Sequence, residues 1–199
     1  MKTDRHSKGL TLIELMTVVA ILVLSLVLAA PSFSRFLDDR KVRNVAESLH
    51  YGMLRAVSEA ANANTPAVFT WDGHTTWTIT QQRFEDDGSG TSVLTTKTLE
   101  TFNWGGADAN WSSVSVKAMK KNNTALTDTA IAFDTFSKVS DSSDPNKLPD
   151  WFEVCGGPGS RKFLVTVVEG GIKVCDPLLP STDPKGCKGA SVSASPTCP

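Results

Sequence analysis

Hydrophobic and polar positions divide this chain into three stretches with different periods. Residues 10–30, LTLIELMTVVAILVLSLVLAA, are apolar and carry one ionisable side chain, Glu14. Their length matches the ~20 residues that a helix needs to cross a hydrocarbon core. Past Pro31, Phe33, Phe36, Leu37, Val42, Val45, Leu49, Met53, Ala56, Val57 and Ala60 recur at spacings near three and four. Arg35, Asp38, Asp39, Arg40, Lys41, Arg43, Glu47, Arg55 and Glu59 lie between them. This is the pattern of an amphipathic helix with one apolar stripe and one solvated, charged face. Asn62, Asn64 and Pro66 end it, because proline disfavours helix in the residue before it. The expectation is one long helix from residue 10 to about residue 62.

From Pro66 the period falls to two. Residues 67–71 and 76–80 read as strands around an Asp72-Gly73 turn. Further strands are expected at 93–99, 114–119, 130–133, 151–155, 163–168 and 172–175, separated by clusters of Gly, Asp and Asn. A long helix followed by short strands and tight turns gives an α+β class, with one sheet or two packed on the helix stripe. Tryptophans 71, 77, 104, 111 and 151 fall in or beside these strands and are expected mostly in the core.

Ahead of the apolar stretch lies a polar leader, residues 1–9, with Lys2, Arg5 and Lys8 against Asp4. A secretory signal would place a small-residue cleavage site after its apolar region. Here the Gly9/Leu10 junction comes before it. The leader's positive charge predicts a cytoplasmic N-terminus with the bulk of the chain facing outward. A lone carboxylate inside a membrane-length helix costs roughly 2.5 kcal/mol or more, so the default reading of Glu14 is functional.

The run Gly9-Leu10-Thr11-Leu12-Ile13-Glu14, an apolar helix and Pro31 beyond it together resemble the class III leader of type IV prepilins and type II secretion pseudopilins. The resemblance implies that a prepilin peptidase cuts between Gly9 and Leu10 and methylates the new amine of Leu10. It also implies that Glu14 guides the subunit into a growing filament, by pairing with a neighbouring subunit's N-terminal ammonium. Leu10 stands where that family usually has Phe or Met. Nearer the C-terminus, Ile131-Ala132-Phe133-Asp134, Trp151-Phe152-Glu153-Val154, the run from Arg161 to Val167, and Gly170-Gly171-Ile172-Lys173 look like the closing strands of the GspH/FimT (FimU-like) family of minor pilins and pseudopilins. Residues 81–123 resemble no family pattern.

Four cysteines, Cys155, Cys175, Cys187 and Cys198, lie in the last quarter of the chain. An even count on a non-cytoplasmic side predicts two disulfides with three connectivities open. Short loops favour Cys155–Cys175 with Cys187–Cys198. No metal-ligand spacing accompanies these cysteines, so neither a metal nor another cofactor is expected. Catalytic constellations are also missing. His6, His50 and His74 are scattered, and Gly156-Gly157-Pro158-Gly159-Ser160-Arg161-Lys162 lacks phosphate-loop spacing. The acidic runs Asp86-Asp87-Gly88 and Asp141-Ser142-Ser143-Asp144 read as solvated turns.

Charge disfavours a nucleic-acid partner. Removing the leader's net +2 from the overall −1 leaves −3 on residues 10–199, whereas DNA binding needs a basic patch. Only Arg161, Lys162, Lys173, Lys185 and Lys188 offer one. DNA-binding members of the FimT branch carry a Gly-Arg-x-Arg element where this chain has Gly170-Gly171-Ile172-Lys173, which lacks both guanidinium groups.

The expected organisation is a cleaved leader at 1–9, a transmembrane helix at 10–30, an amphipathic helix at 31–63 and a β-rich type IV pilin domain at 66–199. The expected role is a non-enzymatic minor pilin in type IV pilus assembly or initiation. Its partners would be other major and minor pilins and the prepilin peptidase. The expected location is the bacterial inner membrane, single-pass, with a periplasmic C-terminal domain that enters the pilus. A type II secretion minor pseudopilin is the second reading, and a DNA-binding pilin of natural transformation the third.

Overall fold

The computed structural model describes residues 11–86, 88–105, 111, 113–127, 129–136, 139–140, 148–168, 171–187 and 198. One helix, α1, spans Leu12–Ala63. The side chains of residues 29–32, Pro31 among them, lie outside the described set. Contacts divide the chain into two compact units, Met1–Leu37 and Asp38–Pro199. In the first unit the apolar side chains from Leu12 to Leu28 are exposed.

The second unit is built on the rest of α1. Val42, Val45, Ala46, Leu49, Met53, Ala56 and Ala60 are all fully buried, so the core takes up the predicted stripe from Val42 onward, whereas Phe33, Phe36 and Leu37, counted in the same stripe, are exposed. The helix stops at Ala63, and Asn64 follows in the left-handed region with φ 51°. Asparagine tolerates that conformation and commonly closes a helix there. Gln81, itself buried, donates from Nε2 to the carbonyl of Glu59 at 3.0 Å, tying β2 to the last turns of the helix.

Ten strands are present among the described residues. They are β1 (Ala67–Trp71), β2 (Thr76–Asp86), β3 (Ser92–Asn103), β4 (Ser115–Met119), β5 (Ala125–Leu126), β6 (Thr129–Phe133), β7 (Val139–Ser140), β8 (Trp151–Cys155), β9 (Phe163–Val168) and β10 (Gly171–Cys175). They form two antiparallel sheets with orders β3-β2-β1-β6-β7 and β10-β9-β8-β4-β5. A helix followed by antiparallel sheets is the α+β layout expected, and it is consistent with the type IV pilin fold.

Both sheets face the helix stripe. In β1 the side chains of Ala67, Phe69 and Trp71 point inward, and their neighbours alternate to half-exposed positions, as a strand with one buried face requires. Phe152 of β8 meets Phe69 at 6.4 Å and Trp71 at 5.8 Å, edge to face, so aromatic contacts join the sheets. The β1–β2 turn is held by Asp72, whose Oδ1 accepts from His74 N at 2.8 Å and Thr76 N at 3.0 Å. His50 of α1 makes a 3.1 Å hydrogen bond with the Ile172 carbonyl of β10. Asp39, expected on the solvated face, accepts from the Arg161 amide at 2.9 Å and so ties the helix to the loop before β9.

The unmatched stretch 81–123 contains most of a long hairpin. β2 and β3 run well beyond β1, whose last partner on β2 is Gln81. At its turn, Asp86 Oδ1 accepts from Gly88 N and Gly90 N at 3.0 and 3.1 Å, and both glycines hold positive φ. This aspartate therefore organises a turn.

The disulfides correct the expected connectivity. Cys155 pairs with Cys198, and Cys175 with Cys187. β9 lies between β8 and β10, which puts Cys155 and Cys175 two strand spacings apart, roughly 10 Å. Disulfides need Cα atoms within about 7 Å. The observed pairs have Cα–Cα distances of 5.6 and 5.0 Å. The first anchors Cys198 beside the 157–161 loop, where its amide and carbonyl bond Ser160 O and Gly159 N. The second closes a loop whose base is the Asp176–Gly186 bridge.

Candidate functional site

The helix start is where residue types and geometry converge. Thr11 precedes the first helical residue, and its carbonyl accepts the first helical bond, from Leu15 N at 3.2 Å. Its hydroxyl oxygen accepts from the Glu14 amide at 3.3 Å. In return, Glu14 Oε2 accepts from the Thr11 amide and the Thr11 hydroxyl, each at 2.9 Å. This reciprocal pattern is a capping box, in which residues three apart satisfy amide donors that the first helical turn leaves open. The carboxylate also lies at the positive end of the helix dipole.

Glu14 thus has a local partner inside the single subunit, which the sequence reading did not assign. The signal was present as Thr-x-x-Glu ahead of an apolar run. Further along, the Thr17 hydroxyl donates to the Glu14 carbonyl and the Ser25 hydroxyl to the Ile21 carbonyl, at 2.9 and 2.8 Å. Folding these hydroxyls onto the backbone removes unsatisfied polar groups from an apolar surface. Among the described residues no single helix is long and apolar enough to cross a membrane; Leu12–Leu28 and Phe33–Ala63 reach that length and composition only when taken together. Gly9 and Leu10, the expected processing residues, lie outside the described residues.

A second cluster is the set of cations near the C-terminus. Arg161 is bound to Asp176 at 3.2 Å, and Lys162 is buried and bound to Glu153 at 2.8 Å. Lys173 and Lys185 are exposed, and Lys188 lies outside the described residues. The structure therefore commits two of the five cations to internal ion pairs. The glycine-rich segment from Gly156 to Ser160 is a turn between β8 and β9, closed by Gly156 N to Ser160 Oγ at 3.1 Å, and a strand follows it. Among the described residues, no three His, Cys, Asp or Glu side chains are grouped to hold a metal. The run 141–144 lies outside them.

Compared with known families, residues 4–30 match the model of the prokaryotic N-terminal methylation motif. No curated protein and no solved structure matches the chain. The matched segment contains the leader junction, the capping box with Glu14 and the apolar helix, and it ends where the amphipathic half begins. This protein therefore carries a type IV pilin-like prepilin leader.

Proposed function

We propose that this protein is a minor pilin: a structural subunit that helps to assemble or initiate a type IV pilus. The observation that carries the reading is a single carboxylate, Glu14, within an apolar segment that matches the methylation motif. Cleavage between Gly9 and Leu10 would create an ammonium at Leu10, which the prepilin peptidase then methylates. Residues 10–30 hold the subunit in the inner membrane as a single span, with residues 66–199 on the periplasmic side as the pilin domain. On entry to the filament, Glu14 exchanges its Thr11 partners for the N-terminal ammonium of a neighbouring pilin. Each charge is costly alone in lipid, and pairing offsets part of that cost. A type II secretion pseudopilin would use the same leader in the same way, and the two cystines of the C-terminal part favour the pilus by analogy. The DNA-receptor reading is weakened by the ion pairs of Arg161 and Lys162.

The test uses the full-length chain in its own cell. Gly9→Val should leave the leader attached. Glu14→Ala should stay membrane-inserted and cleaved while its amount in sheared filaments falls at least tenfold. Normal processing and normal incorporation of the two variants would overturn the proposal.

A further inference from the structure

β3 is the outer strand of its sheet, and β2 is its one neighbour among the described residues. It is 12 residues long with no proline, and its charged residues are Lys97 and Glu100. Beyond Gln81, β2 and β3 continue as a two-stranded arm, from the pair Gln82–Thr96 to the pair Asp86–Ser92. The arm exposes Phe84, Val93 and Leu94. Two-stranded ribbons are marginal in water, and long open edges are templates for a further strand.

The register of β3 gives that further strand an identity. A bulge between Ile79 and Thr80 places Lys97 opposite Gln81 and Glu100 opposite Ile79. Gln81 and Ile79 both point inward, so Lys97 and Glu100 share a face although they are three apart. In an unbroken strand, side chains three apart lie on opposite faces. Because of the bulge, β3 is complementary to itself. Consider a two-fold axis between Thr98 and Leu99, with two β3 strands antiparallel. Lys97 then faces the partner's Glu100 and Glu100 faces the partner's Lys97. Thr96 and Thr101 oppose each other on the outer face, as do Thr95 and Phe102 on the inner. Centring the axis on Lys97 or on Glu100 instead would set like charges opposite each other.

We propose that β3 is a self-association edge at which a second copy of this chain adds its own β3 antiparallel, in the register that pairs Lys97 with Glu100. The proposal goes beyond the pilin reading, since it concerns the β-rich unit and uses no leader residue. A bulge can also blunt an edge; in that case the chain stays monomeric.

Two differently tagged full-length copies are co-expressed, one with Thr96→Cys and the other with Thr101→Cys, and mildly oxidised in their membranes. The expected result is a disulfide-linked mixed dimer at least tenfold above the homodimer from either variant alone. Lys97→Glu, read by co-purification of tagged copies in detergent, should lower association roughly tenfold. Lys97→Glu combined with Glu100→Lys should restore it to within about twofold, which also shows that the variants fold. Glu14→Ala should keep the cross-link, so failure here is separable from failure of the pilin reading. Equal cross-linking of mixed and unmixed copies, monomer throughout, or association indifferent to charge reversal would each overturn the proposal.

Discussion

Gly52 sits in the buried stripe of α1 where a side chain would meet aromatic rings. A Cβ there would stand 2.9 Å from Phe69 Cε2 and 3.0 and 3.1 Å from Trp77 Cε2 and Cδ2. Carbon atoms at rest are about 3.5–4.0 Å apart, so the rings would have to retreat by roughly 0.5 Å. They have little freedom to do so. Phe69 and Trp77 are fully buried and lie 5.7 Å apart by centroid. Trp77 stacks on Phe102 at 5.6 Å, and Phe69 abuts Phe152 at 6.4 Å. Gly52→Ala gains about 1 kcal/mol of helix propensity. Overpacking a filled core costs about 1–3 kcal/mol, and the rigid rings put this site in the upper part of that range. The net expectation is a loss of about 1–2 kcal/mol. For a chain of this size that lowers Tm by about 2–8 °C. The assay is thermal unfolding of the full chain in detergent, followed by near-ultraviolet circular dichroism of the tryptophans. Gly52→Ala on a Phe69→Leu background should lose less than on the wild type, because one of the two rings that meet the Cβ is gone and the Trp77 ring gains room to move. An unchanged or raised Tm for Gly52→Ala would show that the rings make room for the Cβ and that no clash exists.

The cystines and the buried ion pair give three further predictions. A non-reducing digest should yield one linked peptide joining Cys155 to Cys198 and another joining Cys175 to Cys187; a peptide joining Cys155 to Cys175 would refute the pairing. Replacing Cys155 and Cys198 together by serine should cost about 1 kcal/mol more than replacing Cys175 and Cys187, because their sequence separations are 43 and 12 and closure entropy grows with loop length. Lys162→Ala leaves the carboxylate of Glu153 without its 2.8 Å partner. Glu153 keeps some solvent contact, so the loss should be about 2 kcal/mol, below the ~3–5 kcal/mol of a fully buried pair. Lys162→Met with Glu153→Leu should recover most of it, and a urea midpoint for Lys162→Ala equal to wild type would count against the pair.

The sequence was most informative where one face of an element is buried. The stripe from Val42 to Ala60 and the strand β1 were legible because burial on the core side imposes a period, whereas β8 and β9, buried on both faces, were legible as short apolar runs bounded by turn residues. The pattern predicts β3 at 93–99, whereas the strand spans Ser92–Asn103. Its arm is exposed on both faces, so Ser92, Val93, Leu94, Thr95 and Thr96 follow one another without alternation and nothing in the pattern marks its ends. β7 is two residues long, too short to have a period. The cystine pairing was misjudged because it depends on strand order, which loop length does not encode. At the candidate site, Glu14 stood out as a charge in an apolar run. Thr11 did not, because a threonine is unremarkable there until the spacing to Glu14 is considered as a cap.

The two sheets are not made from two halves of the chain. One takes β1, β2, β3, β6 and β7, and the other takes β4, β5, β8, β9 and β10. A cut between β5 and β6 would leave each half with strands of both sheets and a complete set for neither. β1 must wait for β6, and β4 for β8, before either sheet has its middle filled. Neither sheet can therefore mature as an independent folding unit, and folding should be slow and all-or-none. In evolutionary terms, neither sheet can be exchanged as a contiguous module, and change is channelled into outgrowths such as the β2–β3 arm, which can lengthen or shorten without disturbing the interlock.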